Sequence, residues 1–182
     1  MLCLLPLCLF GLEGALEVRG GYFRLANSMA RKIYGKGIPD VELEGICFVN
    51  RYFNPWFNGN YIWKTGETTA LSSKTDLKMG GFGFGTKFFF PPSRQVVRFY
   101  LGVGPYGAYL QVHDHSSYLP SKTVRWGGGV VGKSGLFIGN KTVFLDLFFD
   151  YYYLPIRTRS SASEHSIDLG GFRVGGGVGS IF

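Results

Sequence analysis

The chain sorts its residues by parity. In 142–154, Val143, Leu145, Leu147, Phe149 and Tyr151 alternate with a series that carries Asp146 and Asp150. In 96–112, Val97, Phe99, Leu101 and Val103 alternate with Arg98, Tyr100, Gly102 and Gly104. In 76–90, Phe82, Phe84, Phe88 and Phe90 oppose Gly81, Gly83, Gly85 and Lys87. In 166–182, Phe172, Val174 and Val178 oppose Gly171, Arg173, Gly175 and Gly177. A repeat of two is the signature of a strand. What the two faces contain constrains the fold further. A one-sided soluble sheet buries its bulky face and wets a polar one, and glycine weakens a strand without packing anything. Here the face opposite the bulky residues holds glycines and isolated charges of both signs. That composition suits a face turned into a narrow lumen, with the bulky face turned to hydrocarbon.

Eight such segments are predicted, at about 15–25, 41–53, 56–65, 76–90, 96–112, 121–138, 142–154 and 166–182. Most exceed the roughly 5–6 residues of a globular strand and reach the roughly 9–11 that a tilted strand needs to cross a bilayer. No apolar run approaches the ~18 residues of a membrane helix. Charged residues make up 17% of the chain, against roughly 25% in soluble domains. Asn54-Pro55, residues 91–95 and Gly139-Asn140-Lys141 read as short turns, whereas 26–40, 66–75, 113–120 and 155–165 read as longer loops. Short turns at one end and long loops at the other are the asymmetry of outer-membrane barrels. The predicted fold is all-β: an eight-stranded antiparallel up-and-down transmembrane β-barrel over 15–182. Residues 1–14 carry the apolar core of an export signal without a basic start, and read as a signal peptide, truncated at its beginning. Without that leader Cys47 stands alone, so no internal disulfide is expected.

Parity places twelve charges on the inner face: Glu17, Arg19, Glu42, Glu44, Lys64, Lys87, Arg98, Arg125, Lys133, Asp146, Asp150 and Arg173. Buried charges persist when paired and hydrogen-bonded, so a salt-bridge network that plugs the lumen is predicted. Ile46, Phe48 and Ile62 fall on the same inward parity against the pattern, which predicts a bulge or a shifted register there. Tyr52, Phe53, Trp56 and Phe57 at one end, and Trp63, Trp126, Tyr151, Tyr152 and Tyr153 at the other, read as interfacial girdles.

Several patterns mimic soluble chemistry. Gly127 to Ser134 spells a P-loop, and Gly102 to Gly107 a dinucleotide fingerprint, but strand and turn residues follow each where a phosphate-binding helix should begin. The net charge of +7 is spread without a run of like charges, so nucleic acid is not an expected partner. His113, Asp114, His115 and His165 are loop residues on this reading, and neither a metal nor a cofactor is expected.

The segment ending in Phe182, with Gly177 five positions before it, matches the C-terminal assembly signal of small barrels; Ser180 stands where that signal usually has an aromatic residue. With the alternation, the chain resembles the small eight-stranded outer-membrane proteins: the OmpX/Ail and OmpW groups and the membrane part of OmpA. The resemblance implies insertion by the outer-membrane assembly machinery into the outer membrane of a Gram-negative-type bacterium. It also implies contact with outer-membrane lipids, lipopolysaccharide included. The function it implies is non-enzymatic, a structural or surface-interaction role with a host or solute ligand at the loops. Arg31, Lys32, Lys36, Arg157, Arg159 and His165 would make those contacts. One alternative is OmpW-like passage of small apolar solutes past Ile46, Phe48, Tyr100 and Tyr106. A minor alternative is a lipid A hydrolase at the rim built on His115 and Ser117, with Asp146 or Glu164 as the next acid in the chain.

Overall fold

The computed structural model describes residues 13–50, 52–67, 74–90, 96–115, 121–140, 142–160 and 163–182. The expected signal segment lies outside them except for Glu13 and Gly14, which open the first strand. Eight strands form one closed antiparallel barrel. They are β1 (Glu13–Leu25), β2 (Ile38–Phe48), β3 (Asn54–Glu67), β4 (Lys74–Phe90), β5 (Val97–Asp114), β6 (Ser121–Gly139), β7 (Val143–Tyr153) and β10 (Gly171–Ile181). Sequence neighbours pair around the wall, and β1 closes it by pairing with β10 from Ala15↔Ile181 to Leu25↔Gly171. Below that ladder Phe182 and Gly14 exchange two backbone hydrogen bonds, of 2.8 and 2.9 Å. Closure removes the edge that hydrocarbon could not satisfy.

The connections depart from the sequence reading in four places. The turn between β2 and β3 is built on Asn50, whose side chain accepts from the amides of Tyr52 and Phe53; Asn54 and Pro55 already belong to β3. The first long loop contains a short helix, α1 (Ser28–Tyr34), capped by the Asn27 side chain and ended at Gly35 with φ 86°. The second and third loops are shorter than expected, because β3 runs on to Glu67, β4 already starts at Lys74 and β5 runs on to Asp114. The last loop is a two-stranded hairpin, β8 (Pro155–Ser160) and β9 (Ser163–Asp168), so β10 starts at Gly171 rather than 166. Asp168 pins the base of that hairpin by accepting from the amides of Leu154 and Gly170.

The two faces separate cleanly. Phe84 is 59% exposed and Val178 56%, while Tyr100 and Val131 are fully buried inside. A continuous belt of exposed Val, Leu and Phe around every strand is far larger than the apolar patches of soluble monomers, and lipid is the solvent that covers it. Tyr61 stacks on Trp63, and Tyr109 meets Trp126 edge-on, at the loop end of the belt. Two expected girdle residues are exceptions: Trp56 and Tyr152 are buried inside the barrel. No bulge accommodates Ile46 or Ile62. The β2–β3 ladder runs unbroken from Asp40↔Ile62 to Ile46↔Trp56, and these apolar residues belong to the interior.

Candidate functional site

The interior is layered. Its middle is a buried polar cluster. Arg19 on β1 lies at the centre, with Nη1 2.7 Å from Glu42 and 3.2 Å from Asp150, and Nη2 3.0 Å from Asp146. Nη2 also donates to the Tyr100 hydroxyl at 2.9 Å, and that hydroxyl donates to Asp146 at 2.9 Å. Arg173 on β10 bonds Asp40 and lies 2.6 Å from Glu42. Lys133 on β6 reaches Glu42 at 2.9 Å and Glu44 at 2.5 Å, and Lys87 on β4 bonds Glu44. Asn58 and Tyr152 donate to the second oxygen of Glu42. The flat Arg19 and Arg173 guanidinium groups both lie over the Phe148 ring, at 3.9 and 4.5 Å. Room for these long side chains comes from the small residues beside them. A Cβ at Gly177 would collide with the side chains of Glu17 and Arg19.

Not every inward-parity charge joins this cluster. Arg98 lies toward the turn end, its guanidinium 4.6 Å from the Phe89 ring and 4.5 Å from Phe137. Lys64 is half-buried near the loop end. Arg125 is exposed: it lies beyond Val130↔Tyr153, where the β6–β7 ladder ends and β6 has no β7 neighbour. Conversely, Asp40, Asn58 and Asn60 are buried in the interior, as is Phe148, without having been singled out, and Tyr152 joins them in place of its expected girdle position. Extending β2 back along its parity from Glu44 and Glu42 reaches Asp40, and the parity of Asp146 and Asp150 contains Phe148.

Below the charges Phe89, Phe137 and Phe144 pack together, with Phe137 stacked on Phe144 at 4.1 Å. Above them the side chains turn apolar again. Phe23, Leu25, Ile38, Ile62, Leu77, Met79, Leu110, Val112 and Leu169 rise around a cavity of about 80 Å³ that α1 covers with Ala30 and Tyr34. Ile46 and Phe48 sit at the turn end, Tyr100 within the ion cluster and Tyr106 against Tyr152. The four side chains expected to mark a solute route therefore share no single surface.

No protein-family model matches the chain, and no curated protein matches it. Solved structures do. Ail, the attachment invasion locus protein of Yersinia pestis, solved with the heparin analogue sucrose octasulfate, superposes with a TM-score of 0.62 at 14% identity, over 94% of this chain and 99% of that one. OprG from Pseudomonas aeruginosa gives 0.66 at 13% identity, over 93% and 96%. Neisserial surface protein A gives 0.59 at 15% identity, over 93% and 97%. The chain has the fold of a small eight-stranded outer-membrane barrel. Gly14 and Phe182 lie at the short-turn end of this barrel, and α1 and the β8–β9 hairpin at the opposite end.

The remaining motifs fall into place on this barrel. Gly127 to Ser134 and Gly102 to Gly107 lie within the continuous strands β6 and β5, and Lys133 is engaged by Glu42 and Glu44. The His113 and His115 rings lie 4.3 Å apart and tilted by 40°. His115 Nε2 lies 3.0 Å from Asp76, which also accepts from Thr65 at 2.6 Å. These two bonds hold the exposed Asp76 carboxyl below its ordinary range. Ser117 lies outside the described residues. Of the loop contacts, Arg31 donates to the carbonyls of Leu25 and Ala26 at 2.7 and 2.5 Å, so its guanidinium fastens α1 to β1. Lys32 and Lys36 are exposed. Arg157, Arg159 and His165 occupy the β8–β9 ladder, opposite Ser166, Glu164 and Thr158.

Proposed function

We propose that this chain is a resident of the outer membrane of a Gram-negative-type bacterium. It acts there as a closed, non-enzymatic barrel that presents basic residues to anionic groups at the cell surface. The observation that carries this reading is the ion cluster. Six carboxylates (Glu17, Asp40, Glu42, Glu44, Asp146 and Asp150) and four cations (Arg19, Lys87, Lys133 and Arg173) are each at most 3% exposed at mid-height. An ion crossing the lumen would have to break several of these pairs at once, and truncating even one buried partner costs about 3–5 kcal/mol. The lumen therefore favours a plug over a pore.

The exposed cations lie at the other end. Lys32 lies in the last turn of α1 and Lys36 just beyond it, and Lys78, Lys122 and Arg125 are exposed on β4 and β6 toward the same end. A surface of exposed Lys and Arg suits phosphate or sulfate groups without demanding one geometry. The partners it fits are lipopolysaccharide phosphates or sulfated host glycans, a reading supported by the complex of the similar barrel Ail with a heparin analogue. Assembly by the outer-membrane machinery would use the strand ending in Phe182.

Two measurements test this. In planar bilayers the purified barrel should be silent, and steady channels would contradict the plug. Heparin and lipopolysaccharide should bind with a steep salt dependence that the Lys32→Glu, Lys36→Glu, Arg125→Glu variant weakens. Binding unchanged in that variant would contradict the surface role.

A further inference from the structure

The cavity under α1 contrasts with the polar cluster at the middle of the barrel. The polar cluster below it is dense with hydrogen bonds, whereas its own wall contributes only apolar surface. A space of this kind stays dry, since water there would find no partners. Left empty, it forfeits the dispersion contacts that close packing would provide. The chain nevertheless keeps it open: the lid contributes Ala30, the smallest side chain able to face it, where a larger one would fill the space.

The lid is held deliberately. Asn27 caps α1 by accepting from Met29 and Ala30, and Arg31 ties it to Leu25 and Ala26. On its far side the Tyr34 hydroxyl lies 3.4 Å from Thr75 Oγ1. Gly66 on β3 permits the close approach, because a Cβ there would strike the Ile33 carbonyl and the Tyr34 ring. The floor is equally defined. Phe23 meets Tyr152 edge-on at 5.8 Å, Tyr152 meets Tyr106 at 4.8 Å, and Tyr106 donates to Asn60 at 2.8 Å. The cup therefore ends blind above the charges.

We propose that this lidded cup is a binding site for one small neutral apolar molecule, a short alkane or a single aromatic ring. At about 80 Å³ it has about half the volume of the ~150 Å³ dry cavity known to take benzene. A group of a few carbons fits with the lid down, and a ring fits once α1 shifts outward. The blind floor disfavours a lipid acyl chain, which would need depth the cup lacks. The cup holds its ligand at the cell surface and does not pass it on, so the site is independent of the basic rim and of the plug.

The test uses the full barrel in lipid nanodiscs with ¹³C-methyl methionine. Met79 lines the cup, while Met29 on the outer side of α1 is 72% exposed and serves as the control. Xenon and fluorobenzene should each move the Met79 methyl resonance saturably and leave Met29 unmoved. Ala30→Phe, which fills the cup from the lid, should abolish the Met79 shift. Leu110→Ala, which enlarges it from the wall, should retain saturable fluorobenzene binding and strengthen it. A Met79 response that never saturates, or that persists in Ala30→Phe, would overturn the proposal. So would a Met79 shift that follows the chain length of the nanodisc lipid instead of the added probe, because the occupant would then be an acyl chain.

Discussion

Replacing Arg19 with Met removes the cation that the largest number of carboxylates share. Arg19 lies within 3.5 Å of Glu17, Glu42, Glu44, Asp146 and Asp150. Glu42 and Glu44 keep Lys133, and Asp150 keeps a 3.4 Å contact with Arg173. Asp146 keeps only the Tyr100 hydroxyl among the partners described for it. The variant therefore leaves at least one carboxylate buried without a cation, a defect of about 3–5 kcal/mol. At about 1.4 kcal/mol per factor of ten, the folded-to-unfolded ratio should fall by roughly 10²–10⁴. Urea titration in lipid vesicles, followed by tryptophan fluorescence, reads this directly. Trp56 is well placed to report, since it is buried with Lys133 4.5 Å from its ring. The second half of the test is the double variant Arg19→Met, Asp146→Asn. Removing the stranded charge should return part of the loss, so the double variant should be more stable than Arg19→Met alone. A single variant within about 1 kcal/mol of the parent would place it among ordinary surface-like substitutions and refute Arg19 as the centre of the cluster. A double variant less stable than the single would refute Asp146 as the stranded partner.

Other outcomes follow from the same geometry. Gly177→Val should cost about 1–3 kcal/mol by overpacking against Glu17 and Arg19, seen as a lower urea midpoint with the folded band still shifted on unheated gels. Phe84→Arg, on the lipid face, should cost about 2–4 kcal/mol if Phe84 lies near the bilayer midplane, and little in a barrel that met water there. Asp76 is expected to titrate below an ordinary aspartate. Its folded value is depressed, so the contact with Thr65 and His115 helps above the unfolded aspartate pKa of about 3.9 and is lost as pH falls through the folded value. In carboxyl ¹³C titrations, Thr65→Ala should move Asp76 back up.

Parity carried most of the architecture. The alternation in 142–154 and 96–112 puts Asp146, Asp150 and Tyr100 on one side and Leu147 and Leu101 on the other, and a closed wall needs little more than that repeated around eight strands. Parity is silent about height. Arg125 has the inward parity of Lys133, yet it lies eight residues nearer the free end of β6, past the end of the β6–β7 ladder. Ile46 and Ile62 look like errors of register until the interior is seen as a polar layer between two apolar ones. Trp56 and Tyr152 look like girdle residues because aromatics near a strand end serve both purposes, and only the parity they share with Asn58 and Asn60 on β3 and with Asp146 and Asp150 on β7 sends them inside. The helix α1 was hidden by its brevity, since seven residues carry too little periodicity to announce a helix. The cup beneath it could not be read at all, because it is assembled from β1 to β5, α1 and Leu169, segments far apart along the chain.

The central claim is that bulky side chains face lipid while glycines and ions fill the inside. A nitroxide scan along β7, from Val143 to Tyr153, in lipid vesicles tests it most directly. Labels at Val143, Leu145, Leu147 and Phe149 should collide readily with oxygen and poorly with a water-soluble nickel chelate, while labels at Phe144 and Phe148 should be shielded from both. Accessibility without that two-residue repeat, or strong nickel collisions at Leu145 and Leu147, would contradict it.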